Sequence, residues 1–172
     1  TLAWKKVSGA SGYRIYRYNE ATEAYEIVKT LTSGSTVSYK VTGLAAAKEY
    51  QFKVRAYRKV DGVSTWGSSS AAYKDSTKPG QTKSLKASSK SSAVTLTWNK
   101  VTRASGYQVY RYNSKTKKYE KLATVKGNTT FSYKNTKLKK GTTVKYKVRA
   151  YKTYNGTNYY GAFSDIVSIK VK

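Results

Sequence analysis

The 172-residue chain has no cysteine, no histidine, no methionine and a single proline. Without cysteine there is no disulfide framework and no thiolate metal site. Without histidine the usual imidazole ligand sets and the Ser-His and Cys-His nucleophile pairs are also excluded. Acids are scarce, at 8 Asp and Glu against 34 Lys and Arg. The second half holds only Glu120 and Asp165; their counterparts in the first are Glu26 and Ala71. No carboxylate pair recurs, which argues against two-carboxylate glycoside hydrolysis and against general acid–base chemistry. No Gly-rich phosphate loop precedes a helix, because no stretch has helical periodicity. The reading is a non-enzyme with no cofactor and no metal. No apolar run reaches the roughly 20 residues of a membrane-spanning helix, so no transmembrane segment is expected.

What is abundant is positive charge, +26 in all. Residues 1–79 carry 13 basic and 6 acidic side chains (+7), and residues 80–172 carry 21 and 2 (+19). Such a field favours anionic partners. Most cations alternate with apolar residues, as on a solvated sheet face. Compact basic clusters occur at Lys115-Thr116-Lys117-Lys118 and Lys137-Leu138-Lys139-Lys140.

The organising feature is a repeat. Displacing the sequence by 94 positions lays Thr1–Lys78 on Thr95–Lys172 without a gap, with 32 of 78 positions identical. Each copy has a Trp-bearing strand (Leu2-Ala3-Trp4; Leu96-Thr97-Trp98) and a Gly-Tyr strand (Tyr13–Tyr18; Tyr107–Tyr112). A long alternation follows (Tyr50–Tyr57; Val144–Tyr151), with turn dipeptides at Asp61-Gly62 and Asn155-Gly156. Period-two alternation with frequent turns predicts an all-β fold. We expect two tandem β-sandwiches at 1–78 and 84–172, joined by a short linker at 79–83 that holds the proline. Repeat two adds a first strand near Ser84–Ser88, which repeat one lacks. Expected last strands are Ser69–Tyr73 in repeat one and a continuous Tyr159–Val171 in repeat two. Trp98, Tyr107, Val109, Leu138, Tyr146 and Val148 are the predicted core of the second unit.

These residues resemble the fibronectin type III pattern of immunoglobulin-like sandwiches. The marks are Trp4 and Trp98, Tyr13 and Tyr107, Leu44 before Tyr50-x-Phe52-x-Val54-x-Ala56, and Leu138 before Val144-x-Tyr146-x-Val148-x-Ala150. Repeat two has Val144 where the family has its corner tyrosine, and no Arg-Gly-Asp is present. The Lys/Tyr-rich style is similar to tandem units of secreted or cell-wall-associated Gram-positive proteins. That resemblance implies an extracellular or wall-associated spacer within a longer polypeptide, next to other domains, attaching to an anionic wall polymer or polysaccharide. Two alternatives stand: a carbohydrate-binding pair, and a protein–protein adhesion module. Nucleic acid is disfavoured, because no recognition helix, zinc finger or single-strand-binding motif is present.

The candidate ligand-contacting residues combine rings with cations. Tyr151, Tyr154, Tyr159 and Tyr160 surround Asn155-Gly156, and Tyr57 and Trp66 are the repeat-one residues matching Tyr151 and Tyr160. Tyr110 and Tyr112 are expected beside the same sheet, and Lys145, Lys147 and Arg149 on the outward face shared with Tyr151. Flat rings can stack on sugars while amines pair with phosphate or carboxylate. The competing reading is that outward tyrosines pack over the stems of neighbouring lysines.

Overall fold

Alternating sequences become strands because successive side chains leave opposite faces, so one face can be apolar and the other wet. The computed structural model describes all residues, Thr1–Lys172, and every regular element in it is a strand. No helix is long and apolar enough to cross a membrane. The chain forms two compact units, Thr1–Leu44 with Glu49–Asp75, and Ala45–Lys48 with Ser76–Lys172.

The first unit contains β1 (Leu2–Ala3), β2 (Gly12–Asn19), β3 (Ala24–Leu31), β4 (Ser38–Tyr39), β5 (Glu49–Val60), β6 (Val63–Ser69) and β7 (Tyr73–Ser76). β1 pairs with β4, and the larger sheet runs β3-β2-β5-β6 with β7 also on β5. The second unit contains β8 (Lys86–Lys90), β9 (Ala93–Thr97), β10 (Gly106–Asn113), β11 (Lys118–Lys126) and β12 (Ser132–Asn135), then β13 (Thr143–Tyr154), β14 (Thr157–Tyr160) and β15 (Val167–Lys170). Its sheets are β12-β9-β8 and β11-β10-β13-β14, with β15 also on β13. The pairings β1–β4, β2–β3, β2–β5 and β5–β6 of the first unit and those of the second are antiparallel. These are two tandem immunoglobulin-like sandwiches, and the first lacks the strand that β8 supplies in the second.

Each core closes on a ring pair of the same geometry. Trp4 and Tyr13 have centroids 5.3 Å apart at 57°, and Trp98 and Tyr107 stand at 5.3 Å and 58°. Each tyrosine hydroxyl accepts a backbone N–H from the loop after the Trp strand, Val7 at 2.9 Å and Val101 at 2.8 Å. Neither indole N–H has a hydrogen-bond partner. Leaving it unpaired costs about 1–3 kcal/mol. Burying an aromatic ring of about 200 Å² contributes about 5 kcal/mol, so the ring stays inside. Of the predicted core, Trp98, Tyr107, Val109, Tyr146 and Val148 are buried and Leu138 is half-buried against them. Trp98 is 4% exposed, whereas Trp4 is only partly covered in its smaller cluster with Leu2, Ile15 and Phe52.

Two strands lie elsewhere than the alternation predicts. The last strand of the first unit is Tyr73–Ser76, because β6 already occupies Val63–Ser69. The expected continuous strand Tyr159–Val171 is instead β14 and β15, separated at 161–166. There the backbone still bonds to β13, through Gly161 N to Ala150 O at 3.0 Å and Ser164 N to Val148 O at 2.7 Å. Hydrogen bonding continues while the ladder geometry breaks, so sequence pattern alone sees one strand.

Candidate functional site

β13 alternates Tyr146, Val148 and Ala150 into the core with Lys145, Lys147 and Arg149 outward. Tyr151, expected on that outward face, is buried with its ring over Gly106, as Tyr57 is over Gly12. Register then sets neighbours: Gln108 faces Arg149, Tyr110 faces Lys147, and Tyr151 faces Tyr160. On this outer face cations and rings interleave. The Arg149 guanidinium lies over Tyr160 at 3.9 Å, with Phe163 at 5.0 Å and Tyr110 at 5.2 Å. Its edge is held as well. Arg149 donates to Gln108 Oε1 at 3.1 and 3.0 Å and to the Tyr110 hydroxyl at 2.8 Å. Lys147 sits between Phe163 (4.0 Å) and Tyr119 (4.5 Å), and Lys145 stands 5.9 Å from Tyr112.

The first unit builds a shorter version. Trp66 takes Arg14 at 4.1 Å and Arg55 at 5.7 Å, and Lys53 lies over Tyr25 at 4.4 Å. Tyr57 packs against Trp66 at 4.9 Å, and its hydroxyl donates to Leu31 O at 3.2 Å. Tyr57, Trp66 and the loop Val7–Ala10 line a groove of about 260 Å³. The remaining side of Trp66 is therefore limited by two guanidinium groups, which raises the desolvation a sugar ring must meet before stacking there.

The four tyrosines of the last hairpin do not share one surface. Tyr151 and Tyr160 are register partners, but only Tyr160 lies under Arg149, while Tyr151 is buried. Tyr159 pairs with Lys152 and Tyr154 with Thr157, on the opposite face. Tyr110 and Tyr112 lie on the outer face with Lys145, Lys147 and Arg149. Gln108, Tyr119 and Phe163 complete the ladder without having been singled out in the sequence. Tyr119 was visible, since it faces Tyr112 across a hairpin readable from both strands. Phe163 was not: it falls in the broken segment, and its counterpart is Ser69.

Arginine and lysine seated on rings keep their outer edges wet, so this face can offer cations to a partner but has no acid or base poised for turnover. No group of three or more His, Cys, Asp or Glu side chains converges to hold a metal. Glu120 accepts from Asn113 Nδ2 at 3.0 Å and from Thr116 Oγ1 at 2.7 Å, which hold its carboxyl below the usual carboxylate range. The same clasp recurs in Asn19, Thr22 and Glu26, so this acid fastens a hairpin turn.

The fibronectin type III domain model matches residues 1–71. No curated protein matches the sequence. Among solved structures, a two-domain fibronectin type III segment of chicken tenascin is 19% identical with a TM-score of 0.53, over 99% of this chain and 89% of that one. The FN1–FN3 domains of chicken CNTN1 align at 22% identity and a TM-score of 0.46 over 99% of this chain, which spans 58% of that segment's length. The tenascin likeness is one of fold. With the sheet order, it makes the chain a tandem pair of fibronectin type III-like β-sandwiches.

Proposed function

We propose that the chain is a non-catalytic, extracellular protein–protein interaction module that docks a partner protein chiefly through its first unit. The observation that carries this reading is a pair of exposed apolar side chains meeting at the tip of one hairpin. Val60 and Val63 face each other across Asp61-Gly62, 52% and 70% exposed. Burying a valine contributes about 1.5–3 kcal/mol, which is available to a complex and unused in the free chain. The second repeat has Tyr154 and Thr157 there, so repeat geometry does not require valines. The same β5–β6 pair lines the groove beside Trp66, and Ile27 on edge strand β3 is 57% exposed. Neither a bacterial source nor a wall polymer is needed for this reading.

The test is binding of the chain to a panel of purified extracellular proteins at low and high salt, beside V60D/V63D. The expected result is at least one interaction that survives high salt and is lost in the variant, with the melting profile unchanged. A panel giving only salt-sensitive interactions, indifferent to the two valines, would overturn the proposal.

A further inference from the structure

The two lysine clusters of the second repeat, separated by some 20 residues of sequence, meet in space. Arg111, Lys115, Lys137, Lys139 and Lys145 line a cleft of about 700 Å³ at one end of the second unit, and no carboxylate is among its lining residues. Both walls are fixed by backbone. On one side Asn113 Oδ1 accepts the N–H of Lys115 at 2.9 Å, pinning the turn. On the other Leu138 packs on the core, its N–H bonds Ser92 O at 2.9 Å, and Thr142 Oγ1 donates to Lys139 O at 2.6 Å. Glu120 lies opposite Arg111 in the β10–β11 register, held by Asn113 and Thr116.

The first repeat is an internal control. The residues corresponding to the five cations are Arg17, Ala21, Gly43, Ala45 and Gln51, and Glu20 and Glu49 stand where the second repeat has Ser114 and Thr143. Four cations are gone and two acids added on the same scaffold. The concentration of charge is thus a property of this cleft, not of the fold. Five like charges brought together repel one another, and a bound anion relieves that repulsion.

We propose that this cleft binds an anionic polysaccharide, with its carboxylate or sulfate groups paired to the lysines. The Ser114, Thr142 and Thr143 hydroxyls on the lining suit sugar hydroxyls. Single-stranded nucleic acid needs open ring faces for its bases. The ring here, Tyr112, is flanked by Lys145 and by Tyr119 at 5.3 Å. This site is separate from the valine hairpin and does not depend on the protein-docking reading.

The test writes the first repeat into the second, as K115A/K137G/K139A. These residues already stand at the corresponding positions of the first unit, and glycine suits Lys137, whose φ is 57°. A control, K86A/K90A/K170A, removes the same charge from exposed positions on β8 and β15. Affinities for heparin, polygalacturonate, neutral dextran and mixed-sequence single-stranded DNA are measured at near-physiological salt, with melting curves for each variant. The expected result is binding of heparin or polygalacturonate, weakened about tenfold or more by the cleft variant and less than about threefold by the control, since local pairs outlast screened distant ones. DNA and dextran should bind more weakly. Equal losses in the two variants, no loss in the cleft variant, no binding of either acidic glycan, or DNA bound as tightly as the glycans would each overturn the assignment.

Discussion

Asn135 and Tyr146 share a buried hydrogen bond of 2.8 Å where the first repeat has Val41 and Phe52. Both solutions fill the same space, one polar and satisfied, the other apolar. Tyr146→Phe strands a buried amide and should lower the stability of the second unit by about 1–3 kcal/mol. Adding Asn135→Val should recover most of that loss, and a double-mutant cycle by urea denaturation measures the coupling. Burial also raises the hydroxyl pKa of Tyr107 and Tyr146 above the ordinary tyrosine value. The unfolded chain then loses these protons first, so their contribution is complete below about pH 10 and falls as pH rises beyond it. Tyr146→Phe/Asn135→Val should show a flatter decline in a melting series at alkaline pH. At this scale the sequence was readable where alternation and repeat agreed, as for Lys147 and Arg149. It was opaque for Asn135, whose partner lies on another sheet, and for Phe163, which has no counterpart ring.

β2 and β5 of the first unit, and β10 and β13 of the second, are locked by a glycine under a tyrosine. A Cβ on Gly106 would lie 2.3 Å from Val125 O and 2.7 Å from the Tyr151 hydroxyl, and Gly12 meets Leu31 O and Tyr57 in the same way. Gly106→Ala should therefore destabilise the second unit by about 1–3 kcal/mol, read as a lower urea midpoint, although alanine favours strand order on entropic grounds. The hairpin turns were legible as chemistry: Asp61-Gly62 and Asn155-Gly156 both take positive φ, at 49° and 82° and at 46° and 74°. Loop closure at these turns follows from residue type. The break between β14 and β15 does not, because Gly161 and Ser164 keep their backbone bonds to β13 while leaving the regular register. A period-two pattern records the facing of side chains, and such a segment keeps enough of it to read as continuous strand.

Charge and core are properties of the whole chain. Residues 80–172 hold 21 basic and 2 acidic side chains, so self-repulsion opposes compaction of the second unit more than of the first. Raising ionic strength from low to moderate should therefore raise the second unit's melting temperature by more than the first's. The sandwich architecture was legible because the repeat doubled every signal; the cleft was not, because its lysines come from two clusters that only folding joins. The claim beneath all of this is that each unit closes its own core around its own tryptophan. It is tested most directly by unfolding Trp98→Ala in denaturant and following the native Trp4 region and the second unit separately by hydrogen exchange. The prediction is a loss of about 3–5 kcal/mol confined to the second unit, with protection around Trp4 and Tyr13 unchanged. A uniform loss of protection across residues 1–172, in one cooperative transition, would contradict it.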